Sequence, residues 1–179
     1  VEGVQLYNIR GKNAPLPQAI PLFSQLEEGE DCPAIVIDRI PDDLADLKAF
    51  FQEQSLQAVY FKNELDKAYY LTGYGSRDQY AKLYKTLYQF PEFDIRHKLS
   101  QLSDYLKISQ VLLIKMIQIF QELGFVQIEN GIMTVNTDAE KKEIASSSIY
   151  QDLVQTVKDQ ELMALGSVQE IYDYLTESI

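Results

Sequence analysis

Apolar residues crowd the stretch Ser109–Gly124, SQVLLIKMIQIFQELG, from more than one side. Val111, Leu112, Leu113, Ile114, Met116, Ile117, Ile119, Phe120 and Leu123 leave only Lys115, Gln118, Gln121 and Glu122 to face water. A helix apolar nearly all round is buried on several faces, so this stretch is predicted to be a packing helix. Ser109 is placed to cap its start, and Gly124 to end it in the left-handed conformation. Phe125–Glu129 and Ile132–Val135 alternate as strands, and Asn130-Gly131 between them is a strong hairpin-turn signal. Upstream, Asp94 can cap a helix over Ile95–Leu106 whose apolar face is Ile95, Leu99, Leu102 and Leu106. Helix, turn, helix, hairpin is the order of a winged helix.

The first half has a different rhythm. Val4–Ile9 alternates as a strand, and 10–33 is irregular, with Pro15, Pro17, Pro21 and Pro33. Ala34–Asp38 (AIVID) is a short continuous apolar run, as in a strand covered on both faces. Pro41-Asp42-Asp43 opens a helix with Leu44, Leu47, Phe50 and Phe51 on one side, and Ala58–Phe61 (AVYF) is a second buried strand. Strand, helix, strand is a parallel βαβ unit. Ala68–Leu71 reads as a further strand, and Gly73-Tyr74-Gly75 as a joint. Ser76–Gln79 is a capping box opening a helix with Tyr80, Leu83, Tyr84, Leu87 and Tyr88 at core spacing, which Pro91 stops. After Asn136 the chain turns polar (TDAEKKEIASSS). A helix from about Ser148 follows, and a second capping box, Ser167 with Glu170, precedes the last one.

The expected fold is therefore α/β followed by α+β. A small βαβ-type sheet subdomain spans 1–73 and a winged-helix subdomain 74–136. Extra C-terminal helices, 137–179, pack on these.

Composition sharpens the picture. At 179 residues, roughly 68–70% of the unfolded chain's surface can be buried, so no staple is required. Cys32 is the lone cysteine, which rules out a disulfide framework and suggests a reducing, cytoplasmic setting. No apolar run approaches about 18 residues, and the opening VEGVQLYNIRGK lacks the pattern of a signal peptide. A start at Val1 suggests a fragment or a processed chain. Net charge is −11, divided as −4 over 1–90, −1 over 91–136 and −6 over 137–179. Phosphate binding needs clustered Lys and Arg. This balance argues against tight non-specific DNA binding while leaving room for one small basic face.

Little in the chain points to catalysis. His97 is the single histidine, and its spacing from Asp94 suits a helix cap better than a metal or acid–base site. No G-x-S-x-G, G-x-x-x-x-G-K-[ST] or G-x-G-x-x-G motif occurs. The pairs Asp42-Asp43 and Glu27-Glu28 read as helix-start and surface charges. The chain is predicted to be non-catalytic, without a cofactor or metal of its own. As a DNA reader, Ser109–Gly124 lacks outward Arg and Asn, and the hairpin tip Glu129-Asn130-Gly131 has no cation. The better nucleic-acid candidate is Tyr74, Arg77, Lys82 and Lys85, where cations and rings alternate as single strands require. Arg96 and Lys98 would extend that face. The competing reading makes the tyrosines core and the cations a solvated surface.

The run GYGSRDQYAKLYKTLYQFPEFDIRHKLSQLSDYLKISQVLLIKMIQIFQELGFVQIENGIMTVN, together with KKEIASSSIYQDL, resembles the C-terminal domain of the RecJ-type single-stranded-DNA-specific exonucleases of Gram-positive bacteria. SRDQYAKLYK, FQELGFVQIENG and KKEIASSSIY are its most specific parts. The resemblance implies a parent enzyme that degrades single-stranded DNA 5′ to 3′ in repair and recombination. Its core, of the DHH type, would use Mn²⁺ or Mg²⁺. No Asp-His-His occurs here, so no catalytic residue carries over. As an accessory domain the chain would position single-stranded DNA, or dock the nuclease core to single-stranded-DNA-binding protein or a helicase. The alternative is a stand-alone winged-helix DNA-binding regulator.

Overall fold

The computed structural model describes residues 3–11 and 13–177. The reading of Val1 as a chain start, and the last two residues of the C-terminal stretch, lie outside them. The chain divides into two compact units, Val1–Asp66 with Lys158–Ile179, and Lys67–Val157.

In the first unit, β1 (Gln5–Asn8), β2 (Ala34–Arg39) and β3 (Ala58–Glu64) form a parallel sheet in the order β1-β3-β2. Register pairs Leu6 with Val59 and Ile35 with Val59, so one row of side chains crosses all three strands. Helix α1 (Ala45–Glu53) connects β2 to β3, and Leu47, Phe50 and Phe51 are its buried face. Ile35, Ile37, Val59 and Phe61 complete the core with Ile171 and Leu175 from the chain's end. Both faces of β2 are apolar because Val36 is also fully buried, as the AIVID run predicts.

The second unit opens with a correction. Ala68–Leu71 is not a strand: Tyr69–Thr72 forms a short helix, α2. Four aromatic and aliphatic residues fit either state when no period is visible. Helix α3 (Arg77–Gln89) begins at the full Ser76–Gln79 capping box. Strand β4 (Glu92–Asp94) follows, then α4 (Ile95–Leu106), α5 (Gln110–Glu122), β5 (Val126–Glu129) and β6 (Ile132–Val135). The hairpin turn has positive φ at both Asn130 and Gly131. Sheet order β4-β6-β5 makes this a three-stranded antiparallel ribbon, one strand more than the sequence suggests. Glu92-Phe93-Asp94 is too short to show a period.

Leu112, Leu113, Met116, Ile117, Ile119 and Phe120 of α5 are buried at the centre of this unit. Ile114 departs from expectation, being 41% exposed, while Lys115 lies over the ring of Tyr69 at 5.6 Å. Helix α6 (Ser148–Leu165) follows, and α7 (Val168–Thr176) packs on α1 and β1 in the first unit. Among the described residues, no helix is long and apolar enough to cross a membrane.

Candidate functional site

Helix α3 lines a concavity in the second unit. Tyr80, Leu83 and Leu87 are its buried side. Tyr84 and Tyr88, assigned to the same face by spacing, lie further round the helix and remain 37% and 52% exposed. A cleft of about 940 Å³ runs beside them, lined from α3 by Arg77, Tyr80, Ala81, Tyr84 and Lys85. Its other side is the connection 139–145, which brings Lys141 and Lys142. Phe125 and Tyr150 supply its apolar surface, with the buried Phe120 behind them. The lining thus carries four cations (Arg77, Lys85, Lys141, Lys142) against two carboxylates (Glu140, Glu143) in a chain of net charge −11.

The six residues singled out in the sequence fare differently. Arg77 and Lys85 reach the cleft. Lys82 and Lys98 are exposed but do not line it. Arg96 folds over the hairpin turn, where a Cβ on Gly131 would stand 2.7 Å from its Nε. Tyr74 packs edge-on against Tyr150, with ring centroids 5.9 Å apart, and its carbonyl accepts a 2.7 Å hydrogen bond from the Tyr80 hydroxyl. Burial raises the pKa of Tyr80, so that hydroxyl stays protonated and donating. The Gly-Tyr-Gly segment is a packed bend: Gly75 sits at φ +90° directly under the Tyr80 ring. Lys141 and Lys142 also line the cleft, and the sequence reading misses them. They are the only adjacent basic pair in the sequence, and that is the signal that would have found them.

His97 is a cap residue. Its backbone N–H donates to Asp94 Oδ1 at 3.2 Å, and its ring Nδ1 lies 2.7 Å from Asp94 Oδ2. These bonds hold the Asp94 carboxyl below its ordinary pKa. Among the described residues, no group of three or more His, Cys, Asp or Glu is placed to hold a metal ion.

The sequence pattern defining the C-terminal domain of the single-strand DNA-specific exonucleases matches residues 17–175, a span that includes the whole cleft. The chain belongs to this family. It is similar to the Single-stranded-DNA-specific exonuclease RecJ of Bacillus subtilis (strain 168), 26% identical over 143 residues. The match covers 80% of this chain and 18% of that protein, so the chain spans less than a fifth of its relative's length. No solved structure matches.

Two sequence runs that carry the exonuclease-domain resemblance meet physically. Glu122, from FQELGFVQIENG, receives bonds from Ser147 Oγ (2.6 Å), Ser148 N (2.9 Å), Ile149 N (3.0 Å) and Ser148 Oγ, all in KKEIASSSIY. Its carboxylate caps the first turn of α6, where unpaired N–H groups and the helix dipole favour a negative charge. The bonds from Ser147 and Ser148 hold its pKa down at about 2. This clasp fixes one end of the connection carrying Lys141 and Lys142. At the other end, Asn136 Nδ2 donates to the Gly124 carbonyl at 3.1 Å.

A pH prediction follows for the exonuclease domain. The folded pKa of Glu122 lies below the unfolded value, so the unfolded chain binds the extra proton between them. The contribution is fully present above about pH 4.5 and is lost as pH falls towards about 2. Glu122→Gln is expected to melt at a lower temperature than the native chain at pH 7. The two curves should converge below pH 4, when thermal melts are followed by circular dichroism across pH. A gap that stays constant down to pH 2.5 would show that the carboxylate charge is not what holds the clasp.

Proposed function

We propose that this chain is a non-catalytic accessory domain of a 5′–3′ single-stranded-DNA-specific exonuclease acting in repair and recombination. On this reading it holds single-stranded DNA along the cleft beside α3, feeding or retaining the strand for a nuclease core that uses Mn²⁺ or Mg²⁺. The observation that carries it is the convergence of Arg77, Lys85, Lys141 and Lys142, from two separate segments, around an aromatic-walled cleft in an acidic chain. Cations gathered along one cleft attract a phosphate backbone, and the aromatic walls suit bases that have no partner strand. Family membership supports the same context.

We infer a scaffold role for the winged-helix arrangement proposed for residues 74–136. Helix α5 turns Gln110, Ile114, Gln118, Gln121 and Glu122 outward, and its one cation, Lys115, is half-buried over the Tyr69 ring. That is why a stand-alone duplex-reading regulator is the weaker reading.

The test is a titration of labelled single-stranded and duplex oligonucleotides at two salt concentrations. Single-strand binding is expected, with Arg77→Ala, Lys85→Ala and Lys141→Ala each lowering affinity. The slope of log affinity against log salt should flatten by about 0.7 for each phosphate that is no longer neutralised. Lys82→Ala and Lys98→Ala, outside the cleft, should change affinity much less. Tight, salt-sensitive duplex binding would favour the regulator instead. No binding to either form would refute strand holding and leave docking to a protein partner.

A further inference from the structure

The cleft adjoins a second hollow of about 480 Å³ on α3, lined by Tyr84, Lys85, Tyr88 and Gln89. The two share Tyr84 and Lys85. One helical turn separates the tyrosines, whose ring centroids lie 5.9 Å apart with planes inclined at 30°. The inner ring is fixed in advance. Phe120 and Phe125 meet Tyr84 at 81° and 79°, with centroids 6.2 and 5.9 Å away. The outer ring, Tyr88, has about half its surface in water. Core spacing would have buried both rings. Instead the helix presents them as a graded step, in a hollow that a cation and an amide also line.

We propose that Tyr88 and Tyr84 form a stacking step for unpaired bases, over which a single strand enters the cleft. This rests on the reading that the cleft holds single-stranded DNA, and it adds where the discrimination against duplex resides. Phosphate contacts alone do not distinguish one strand from two. A ring face does, because the faces of paired bases are already covered by their neighbours in the duplex. A base sandwiched between the rings would need two contact separations, about 7 Å in all. The 5.9 Å spacing is too small, so bases lie on the outward faces, Tyr88 first. Lys85 is placed for the adjoining phosphate. Gln89 offers both a donor and an acceptor, which suits any base edge and predicts little sequence preference.

The test uses the 179-residue chain with three labelled ligands of equal length: oligo-dT, its abasic counterpart and a duplex. The native chain should bind oligo-dT more tightly than the abasic strand. Tyr88→Ala should weaken oligo-dT binding roughly five- to a hundredfold, leaving abasic binding and the salt slope unchanged. Tyr88→Phe should retain the affinity. Tyr88→Trp should retain it and report it directly, since the chain has no tryptophan and the new emission would be quenched by stacked bases. Equal affinity for dT and abasic strands would overturn the stacking step while leaving strand holding by the cations intact. So would an equal loss on both ligands in Tyr88→Ala. No binding to any strand would overturn both.

Discussion

Replacing Phe120 with alanine is expected to destabilise the Lys67–Val157 unit by about 3–5 kcal/mol, the usual cost of deleting a fully buried aromatic ring. Phe120 is 1% exposed near the end of α5 and meets the rings of Tyr80, Tyr84 and Phe125 at centroid distances of 6.1, 6.2 and 5.5 Å. Its removal leaves a cavity that these three rings cannot all move to fill, because Tyr80 is tethered to the Tyr74 carbonyl. Whole domains are stable by only about 5–15 kcal/mol, so a loss of this size is a large fraction of the total. Urea unfolding followed by circular dichroism measures it. A change below about 1 kcal/mol would mean that the ring cluster does not organise this unit. A functional consequence is expected at permissive temperature too, since Tyr84 loses one of its two edge-on supports and the cleft wall loosens.

The second large effect is expected at Gly75. A Cβ there would stand 2.5 Å from Tyr80 Cε2, and the backbone is at φ +90°, which L side chains rarely adopt. For Gly75→Ala the backbone term alone is about 1–2 kcal/mol. Forcing the methyl against a packed ring adds an overpacking cost of about 1–3 kcal/mol. The ring has little room to yield: its hydroxyl is bonded to Tyr74 O, and Phe120 and Tyr150 lie at centroid distances of 6.1 Å. Thermal melts of Gly75→Ala and of the control Gly73→Ala separate the two terms. Both glycines have positive φ, but a Cβ on Gly73 would meet nothing within 4 Å. If the two variants melt alike, the Tyr80 contact carries no weight and only the backbone term remains.

Much of the local structure was legible because local signals were strong. The Ser76–Gln79 capping box, the Asp94 and Ser109 caps and the Asn130-Gly131 turn all occupy the predicted places. Each is a short-range hydrogen-bonding or steric device that acts whatever surrounds it. The misreadings share a cause. Ala68–Leu71 and Glu92–Asp94 are three or four residues long, where period cannot choose between helix, strand and loop. Strand β4 exists because β6 offers it an edge, and that partner lies some 40 positions along the chain, pairing Phe93 with Met133. Tyr84 and Tyr88 illustrate the same limit: helical spacing marks a stripe, but packing decides how wide the buried part of it is.

By itself the sequence determined the parallel βαβ pattern, the buried α5, the helix starts that carry a side-chain cap and the family to which the chain belongs. Those follow from period, capping chemistry and an extended residue pattern, all readable in one dimension. The candidate site did not follow. Arg77 and Lys85 lie on α3, whereas Lys141 and Lys142 come from a polar connection more than 50 residues later. Only tertiary structure joins them, through the bonds of Glu122 to Ser147, Ser148 and Ile149 that hold that connection beside the cleft. A carboxylate on the outer side of an apolar helix has no local signature for the helix start it will cap. Its partner is chosen by the fold.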